Sequence, residues 1–346
     1  MKILITGGGG FLGLHLASYL HDQSYQLTLV DITPFDKKEY SKDYRLETCD
    51  IRNRQKLEKL VEGQDIIIHA AAALPLWKKA DIYSVNVNGT KNVLDLAKKH
   101  QIKRVIYISS TAVYGVPKKH PIEESDSRVG VGAYGQSKIE AENLCFQAIK
   151  NGLDVTIIRP KTFVGTGRLG VFEILFDWIH DGKKIPVIGN GSNRYQLLDV
   201  DDLINVVYLF CIKKSKSYND AFNIGAEKFA SVKEDLESVF KYYKSSSTIY
   251  PTPAWLIKKA LWFFEKIKLS PLYQWVYDTA DKDSFVSIEK LKKTLQWKPK
   301  YSNSQALIKS YGWYLKNYNE IKSKTAGVTH TVGWKQGILG LFKNFA

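Results

Sequence analysis

A tyrosine and a lysine four residues apart have side chains that could transfer a proton. Tyr134 and Lys138 fall at the start of a predicted helix, Tyr134–Lys150, so their side chains share one face. A phenol with a pKa near 10 needs roughly 4 kcal/mol of preferential stabilisation to ionise near pH 7, and a neighbouring ammonium contributes to it. The pair therefore predicts a general acid/base. The same spacing occurs at ordinary helix starts, so other residues must support the interpretation.

Hydroxyl side chains follow a predicted strand, Val105–Ser109, upstream of this pair. Ser109, Ser110 and Thr111 come at the carboxyl end of that strand. Ligands of open parallel sheets bind at the carboxyl ends of the strands. These hydroxyls are therefore candidates for holding a reacting oxygen.

A glycine cluster near the start of the chain predicts a dinucleotide site. The predicted strand Lys2–Thr6 leads into glycines at 7, 8, 9, 10 and 13, and a helix follows. Gly7 allows a tight turn, Gly10 allows a pyrophosphate to approach the backbone, and Gly13 allows close packing of helix and strand. Asp31 ends the second predicted strand, where a carboxylate accepts both ribose hydroxyls of NAD and repels the extra phosphate of NADP. NAD is favoured over NADP.

Short β-branched runs alternate with amphipathic segments up to about residue 165. Strands that are apolar throughout, separated by helices, indicate a parallel sheet covered on both faces. We therefore expect an α/β fold in which residues 1–165 form a Rossmann-type domain with a doubly wound sheet. Residues 166–346 would form a smaller, mixed substrate lobe. Residues near 185–225 could add strands to the sheet of the first domain. The predicted strands are Lys2–Thr6, Leu27–Asp31, Ile66–Ala70, Val105–Ser109 and Val155–Arg159, and the predicted helices are Phe11–His21, Arg54–Val61, Val85–His100 and Tyr134–Lys150.

Composition excludes several classes of protein. The 346 residues carry a net charge of +15, and residues 251–346 hold 16 Lys, no Arg and 6 acidic residues, a net +10, together with six of the eight tryptophans. Lysine without arginine and without a recognition motif argues against nucleic-acid binding.

Three widely spaced cysteines, at 49, 145 and 211, predict neither a disulfide framework nor a metal site, and favour a reducing, cytoplasmic location.

Taken together, these motifs resemble the extended short-chain dehydrogenase/reductase superfamily of the epimerase/dehydratase type. The resemblance covers about residues 1 to 300. It is carried by TGGGGFLG at 6–13, Asp31, CDI at 49–51, HAAA at 69–72, NVNGT at 86–90, SSTAVYG at 109–115, YGQSK at 134–138, IRP at 158–160, VDDL at 200–203 and FNIG at 222–225.

The resemblance implies a role for each matching position. Tyr134 would be the general acid/base, Lys138 would bind the nicotinamide ribose and lower the tyrosine pKa, and Ser110 would hydrogen-bond the reacting oxygen. Thr111 would be a second substrate contact. The NAD contacts would be Gly7, Gly10, Phe11, Leu12 and Gly13 at the pyrophosphate, Asp31 at the ribose, Asp50 and Ile51 at the adenine, Ala70 and Ala71 at the nicotinamide, and Asn86 behind them.

The choice between members of the family depends on a few departures from its patterns. Family dehydratases carry an Asp-Glu pair after the catalytic hydroxyl, where this chain has Thr111 and Ala112, so dehydration is rejected. Nucleotide-sugar epimerases place an arginine for the diphosphate where this chain has Tyr195, with Arg194 one position away. The short, apolar segment after His69 is more similar to the 3β-hydroxysteroid dehydrogenase branch.

Three functions stay open at this point. The favoured one is NAD-dependent hydride transfer at an alcohol or ketone of a bulky sterol-like or lipid-like molecule. The first alternative is a nucleotide-sugar epimerase that retains its NAD, with Arg194 and Tyr195 at the substrate, and the second is a non-catalytic dinucleotide sensor.

Two Trp- and Lys-rich segments, 253–268 and 334–343, would either cover the substrate pocket or contact a membrane surface peripherally. The resemblance also implies a homodimer formed by the helices Val85–His100 and Tyr134–Lys150.

Overall fold

Parallel strands form the centre of the protein in a computed structural model that describes residues 1–75, 77–168, 170–266, 274–323 and 343. The largest sheet has seven strands in the order β10-β6-β5-β4-β1-β2-β3 and confirms the predicted Rossmann-type, doubly wound fold. Two parallel pairs, β8 with β11 and β7 with β9, lie outside it. The strands are β1 (Lys2–Thr6), β2 (Gln26–Asp31), β3 (Arg45–Thr48), β4 (Ile66–His69), β5 (Arg104–Ile108), β6 (Val155–Pro160), β7 (Phe163–Val164), β8 (Ile185–Ile188), β9 (Leu198–Asp199), β10 (Ala221–Ile224) and β11 (Ile249–Thr252).

Helices connect these strands and cover the sheet. A π-helical turn over Ser84–Gly89 precedes the fourth helix, so the helix expected over Val85–His100 is α-helical only in its second part. The helices are α1 (Phe11–Asp22), α2 (Arg54–Val61), α3 (Lys79–Tyr83), α4 (Thr90–Lys99), α5 (Gly132–Lys150), α6 (Val171–His180), α7 (Val200–Ile212), α8 (Val232–Tyr243), α9 (Ala254–Lys266), α10 (Gln274–Thr279), α11 (Glu289–Leu295), α12 (Asn303–Lys316) and α13 (Tyr318–Ser323).

Alternate residues of each central strand enter two separate cores. In β1, Ile3 and Ile5 pack with α1 and α7 on one face, whereas Leu4 packs with α2, α4 and α5 on the other. This two-sided burial follows from the period of two along a strand. It explains why the strands are apolar throughout.

The C-terminal part builds a smaller core of its own. Trp178 of α6, Phe240 of α8 and Tyr314 of α12 meet there with β8. Within the described residues, no helix combines the length and the hydrophobicity needed to cross a bilayer. The predicted segment 334–343 lies outside those residues, apart from Lys343.

A buried ion pair joins α5 to the sheet. Arg159 of β6 donates from Nε and Nη2 to the two carboxylate oxygens of Glu142 at 2.8 and 2.7 Å, and both side chains are almost fully buried. Ser109 donates to Oε1 of the same carboxylate at 2.6 Å, and Arg128 donates to Oε2 at 2.9 Å. The remaining Arg159 nitrogen donates to the Tyr114 hydroxyl at 2.7 Å. Every polar atom of the pair therefore has a partner, which is the condition under which a buried pair is tolerated.

Replacing Arg159 with methionine should be strongly destabilising. The substitution leaves the buried Glu142 carboxylate with a single charged partner, and breaking a pair of this kind costs about 3 kcal/mol or more in the free energy of unfolding. Arg45→Met, which removes the exposed pair of Arg45 with Glu47, is the matched control and should change stability by less than about 0.5 kcal/mol. Urea unfolding of both variants measures the difference, and equal losses would contradict the importance of the buried pair.

Candidate active site

A cleft of about 410 Å³ opens at the carboxyl ends of β1, β2 and β4. Its lining brings together ten of the residues predicted to bind the cofactor. These are Gly7, Gly10, Phe11, Leu12, Gly13, Asp31, Asp50, Ile51, Ala70 and Ala71. The other three, Asn86, Tyr134 and Lys138, lie outside this lining and are described below.

Two of the glycines are required by the close approach of backbone atoms. Gly7 has a φ of +73°, and a Cβ there would lie 2.7 Å from the Ala71 nitrogen. A Cβ at Gly13 would lie 2.2 Å from the Gly7 carbonyl oxygen. Gly10 precedes α1 without a side-chain cap, so the first N–H groups of that helix are available to an anion.

The Asp31 carboxylate is held at the edge of the cleft. Its Oδ2 accepts a hydrogen bond from the Gly9 nitrogen at 2.9 Å, and its Oδ1 accepts from the Thr33 nitrogen and hydroxyl at 3.0 and 2.8 Å. Oδ2 keeps a further lone-pair site, whereas both sites of Oδ1 are taken by Thr33. The carboxylate is thus oriented before any ligand arrives.

Further along the cleft, Asp50 is paired with Arg52. The Arg52 guanidinium donates to Oδ2 of Asp50 from Nε at 2.9 Å and from Nη2 at 2.5 Å. These hydrogen bonds lower the pKa of the Asp50 carboxyl. Ile51 is buried beside it. The ion pair of Asp50 with Arg52 therefore places charged groups next to the apolar side chain of Ile51.

A chain of hydrogen bonds supports the wall of the cleft formed by residues 70–73. Thr90 donates its hydroxyl proton to the Asn86 carbonyl at 2.6 Å, so its oxygen must accept from His69 Nε2, which lies 2.9 Å away. His69 Nδ1 then accepts from the Thr6 hydroxyl at 2.6 Å, and Thr6 accepts from the Ala71 nitrogen at 3.4 Å. Burial lowers the pKa of His69 to about 3, and the nearby Lys138 charge adds to this effect. His69 is therefore a neutral structural group.

Asn86 stands behind the same wall. Its amide exchanges hydrogen bonds with the backbone of Ala73, at 2.8 and 3.2 Å, and donates to Ser137 of α5 at 3.0 Å. Asn86 is almost fully buried. It therefore links the wall of the cleft to the helix that carries Tyr134 and Lys138.

Tyr134, Lys138 and Glu142 follow one another along one face of α5. Lys138 is buried, donates from Nζ to the Ile108 carbonyl at 2.8 Å, and lies 4.3 Å from the centre of the Tyr107 ring. Burial lowers the pKa of Lys138 to about 8, although the Glu142 charge opposes the change. The Lys138 ammonium has three donors, of which Ile108 takes one.

Ser110 faces the tyrosine across the end of β5. The Ser110 oxygen accepts from the Ala112 nitrogen at 3.1 Å, which leaves its proton to be donated elsewhere. Burial raises the pKa of Tyr134, while hydrogen bonding with Ser110 and the charge of Arg168 lower it. The structure thus brings the predicted hydroxyl and phenol together.

The three predicted substrate residues have different environments. Thr111 is buried and donates to the Pro160 carbonyl at 3.3 Å. Arg194 is exposed, with its guanidinium carbon 4.7 and 4.8 Å from the ring centres of Phe229 and Phe285. The hydroxyl of Tyr195 lies 3.3 Å from that of Thr162.

Arg168 and Glu142 are site residues that the sequence interpretation missed. Arg168 lines the cleft and lies 5.0 Å from the centre of the Phe11 ring. Its position in the glycine-rich loop between β7 and α6 was an available signal, because loops that follow the carboxyl ends of strands lie at the ligand-binding edge. Glu142 could have been found from its spacing of four residues from Lys138.

Among the described residues, no cluster of three or more His, Cys, Asp or Glu side chains is placed to hold a metal ion.

Lys161 is a second buried lysine, directly after β6. Its Nζ donates to the Ser284 hydroxyl at 2.7 Å and lies 4.7 Å from the centre of the Tyr195 ring. Burial lowers its pKa to about 7. The folded chain therefore favours a neutral amine at this position.

Comparison with known proteins places the cleft in a family. The model of the NAD dependent epimerase/dehydratase family matches residues 3–225. The chain belongs to this family. It is therefore an enzyme of an NAD-dependent class, and the cofactor expected from Asp31 is confirmed.

The family relationship extends over nearly the whole chain. "Uncharacterized protein y4nG" of Sinorhizobium fredii is 35% identical over 341 residues, 98% of this chain and 84% of the relative. UDP-glucose 4-epimerase of Halalkalibacterium halodurans is 26% identical over 344 residues, 91% of this chain and 96% of the relative. The crystal structure of UDP-glucuronic acid 4-epimerase from Bacillus cereus in complex with NAD has a similar fold, with a TM-score of 0.75 and 24% identity over 92% of this chain and 100% of that one.

The cleft has the features that NAD requires. The Gly7 turn has no space for a Cβ, and the start of α1 is uncapped, so a pyrophosphate can reach backbone N–H groups there. Asp31 offers carboxylate oxygens at the position expected for the adenosine ribose. The small side chains of Ala70 and Ala71 form part of the cleft lining.

Asp31→Ser should reduce the preference for NAD over NADP. The substitution removes the acceptor for the ribose hydroxyls and the charge that repels a 2′-phosphate, so NAD affinity should fall about tenfold or more while NADP affinity rises. Calorimetric titration with both dinucleotides measures the ratio. Asp43→Ser, at an exposed position outside the cleft lining, should leave the ratio as it is in the parent, and an unchanged ratio for the Asp31 variant would contradict the assignment.

Lys161→Met should alter stability in a pH-dependent way. Since the pKa is lowered from 10.5 to about 7 in the folded state, the unfolded chain binds more protons between these values, and the cost of burying the lysine is greatest at pH 7 and below. The stability gained by the methionine variant should therefore shrink as the pH rises from about 7 to about 10. Melting temperatures of parent and variant across this range provide the test, with the exposed Lys98→Met as control. A difference that does not vary with pH would show that Lys161 keeps its charge.

Proposed function

We propose that the protein is a nucleotide-sugar epimerase that uses Ser110, Tyr134 and Lys138 to oxidise and re-reduce one secondary alcohol. The observation that carries the proposal is the arrangement of Tyr134 and Lys138 on one face of α5 with Ser110 opposite, beside the dinucleotide cleft. The nucleotide-sugar names of the relatives support this substrate class over the sterol-like one. In this class the NAD is retained and regenerated within one catalytic cycle.

Each side chain has a distinct part in the reaction. Tyr134 removes the proton from the substrate hydroxyl and later returns one to the carbonyl oxygen. Ser110 donates its hydroxyl proton to the same oxygen, while its own oxygen accepts from the Ala112 nitrogen. Bound NAD would supply the hydride acceptor and donor for this exchange. Lys138 holds a ribose hydroxyl and favours the phenolate of Tyr134 through its charge.

The second half of the cycle requires the oxidised sugar to present its other face. Arg194 and Tyr195 are the candidates for holding the nucleotide diphosphate while the sugar turns. Arg194 is exposed and its planar guanidinium is oriented by Phe229 and Phe285, which is a suitable arrangement for binding phosphate oxygens. The Asp-Glu pair of dehydratases is absent at Thr111 and Ala112, so the proposal contains no step that removes water.

One observation favours a second candidate. Tyr195 stands where a family epimerase would carry its diphosphate-binding arginine, and the Arg194 guanidinium already contacts two aromatic rings. These features also fit a bulky apolar substrate of the kind that the resemblance to the 3β-hydroxysteroid dehydrogenase branch suggests. That enzyme would release a ketone and leave reduced cofactor behind.

Tyr134→Phe should reduce epimerase turnover by about 10²- to 10⁴-fold, because the phenylalanine cannot exchange a proton with the substrate. The assay incubates the protein with a panel of UDP- and dTDP-sugars and measures epimer formation by NMR, together with absorbance from reduced cofactor. Binding of NAD should be retained in the variant. Tyr242→Phe, at an exposed position in α8, is the matched control and should retain full turnover.

The same assay separates the two candidates. Epimer formation without net accumulation of reduced cofactor supports the epimerase. Steady reduction of added NAD by a sterol or other lipid-like alcohol, with no response to any nucleotide sugar, would replace it by the dehydrogenase. Full turnover in Tyr134→Phe would reject the proton-transfer role in both.

A further inference from the structure

Helix α9 is attached to the protein by one side. Leu261 is buried, Lys258 donates to Asp281 at 2.5 Å, and Tyr277 donates its hydroxyl proton to Glu265 at 2.5 Å. The three anchoring residues of α9, at 258, 261 and 265, are spaced by three and four positions and share a face. The orientation of the helix is therefore fixed by contacts with the protein.

The opposite side of α9 exposes large apolar side chains. Trp255, Leu256, Trp262 and Phe263 are 66%, 48%, 48% and 55% exposed. Trp255, Lys259, Trp262 and Lys266 follow one another at intervals of four, three and four residues, so they form one stripe along the helix. We call Trp255, Leu256, Lys259, Trp262, Phe263 and Lys266 the outer face of α9.

The charge of the outer face is entirely positive. Lys259 lies 5.6 Å from the centre of the Trp255 ring, and Lys266 lies 3.8 Å from that of Trp262. The one acidic residue of α9, Glu265, belongs to the anchored side. The sequence around the helix has the same character, since residues 251–346 carry a net charge of +10.

A contiguous exposed apolar surface of this kind marks an interaction site. Protein interfaces are depleted in lysine at their centres, and here lysines alternate with the tryptophans along the stripe. An anionic bilayer suits both components, because tryptophan rings lie at the level of the headgroups while lysine ammonium groups contact the phosphates. The combination favours a lipid surface over a protein partner.

We propose that the outer face of α9 binds the protein peripherally to an anionic lipid bilayer. The apolar side chains at 255, 256, 262 and 263 enter the headgroup region, and Lys259 and Lys266 contact anionic lipids. A few side chains of this kind give reversible binding rather than permanent insertion. The proposal does not depend on which substrate the enzyme uses.

The test measures co-sedimentation of the full-length protein with lipid vesicles. One set contains phosphatidylcholine alone, and the other adds about 30% phosphatidylserine to provide an anionic surface. The bound fraction should be substantial only with the anionic vesicles and should fall as salt is raised, because the Debye length shortens. Failure of the parent protein to bind anionic vesicles at low salt would overturn the proposal.

Variants then locate the binding surface. The triple change Trp255→Ser, Trp262→Ser and Phe263→Ser should lower the apparent vesicle affinity by about tenfold or more, since it removes the inserted apolar area. Tyr242→Ser with Ile212→Ser, at exposed apolar positions on α8 and α7, is the control and should bind as the parent does. Lys259→Gln with Lys266→Gln should reduce the salt dependence, whereas Lys98→Gln with Lys241→Gln, exposed lysines on other helices, should not.

Two results would assign the outer face differently. If the triple variant binds vesicles as well as the parent, the lipid contact lies elsewhere and the proposal is wrong. If the triple variant instead changes the oligomeric state in light scattering, the face is an interface between two copies of the chain. NAD binding and circular dichroism of each variant confirm that the fold is retained in every comparison.

Discussion

The bidentate contact between Arg159 and Glu142 holds α5, the helix that carries Tyr134 and Lys138, against the sheet. Glu142 lies on the same face of α5 as Tyr134 and Lys138, and Arg159 belongs to β6, the second strand from one edge of the seven-stranded sheet. A planar guanidinium with two parallel bonds fixes both the distance and the rotation of the helix against the sheet. Ser109, directly after β5, adds another bond, so residues from three parts of the fold meet at one carboxylate. Small rotations of α5 would otherwise separate the tyrosine from Ser110.

The cofactor cleft and the reacting face are parts of a single connected framework. Asn86 bonds the cleft wall at Ala73 on one side and Ser137 of α5 on the other. It sits in a π-helical turn, a feature that is often found at functional sites. In the proposed reaction the cofactor and the substrate oxygen would have to meet within hydride-transfer distance, and the Asn86 amide couples the two surfaces that would set that distance. Neither surface can shift without disturbing the other.

Local rules explain which parts of this framework were predictable. The strand, glycines and helix of residues 2–22 follow from hydrophobic period and from the steric limits at Gly7 and Gly13, so the sequence alone was sufficient. β3 was missed because Arg45–Thr48 is an edge strand without a buried apolar run. The π-helical turn depends on packing that periodicity does not reveal. The spacing of Glu142 from Lys138 was visible in the sequence, but its pairing with Arg159 depends on how α5 packs against β6, which the sequence pattern does not reveal.

The direction of the hydrogen bonds around His69 affects how the kinetics of this enzyme should be interpreted. A histidine beside a buried lysine in a candidate active site normally suggests an acid or base with a midpoint near neutrality. Here the imidazole donates to Thr90 and accepts from Thr6, and adding a proton would break the second of these bonds. Its charge state is constant through the physiological range, since its pKa is about 3. An ionisation seen in a rate profile near neutral pH therefore belongs to other groups, and His69 functions as a fixed dipole.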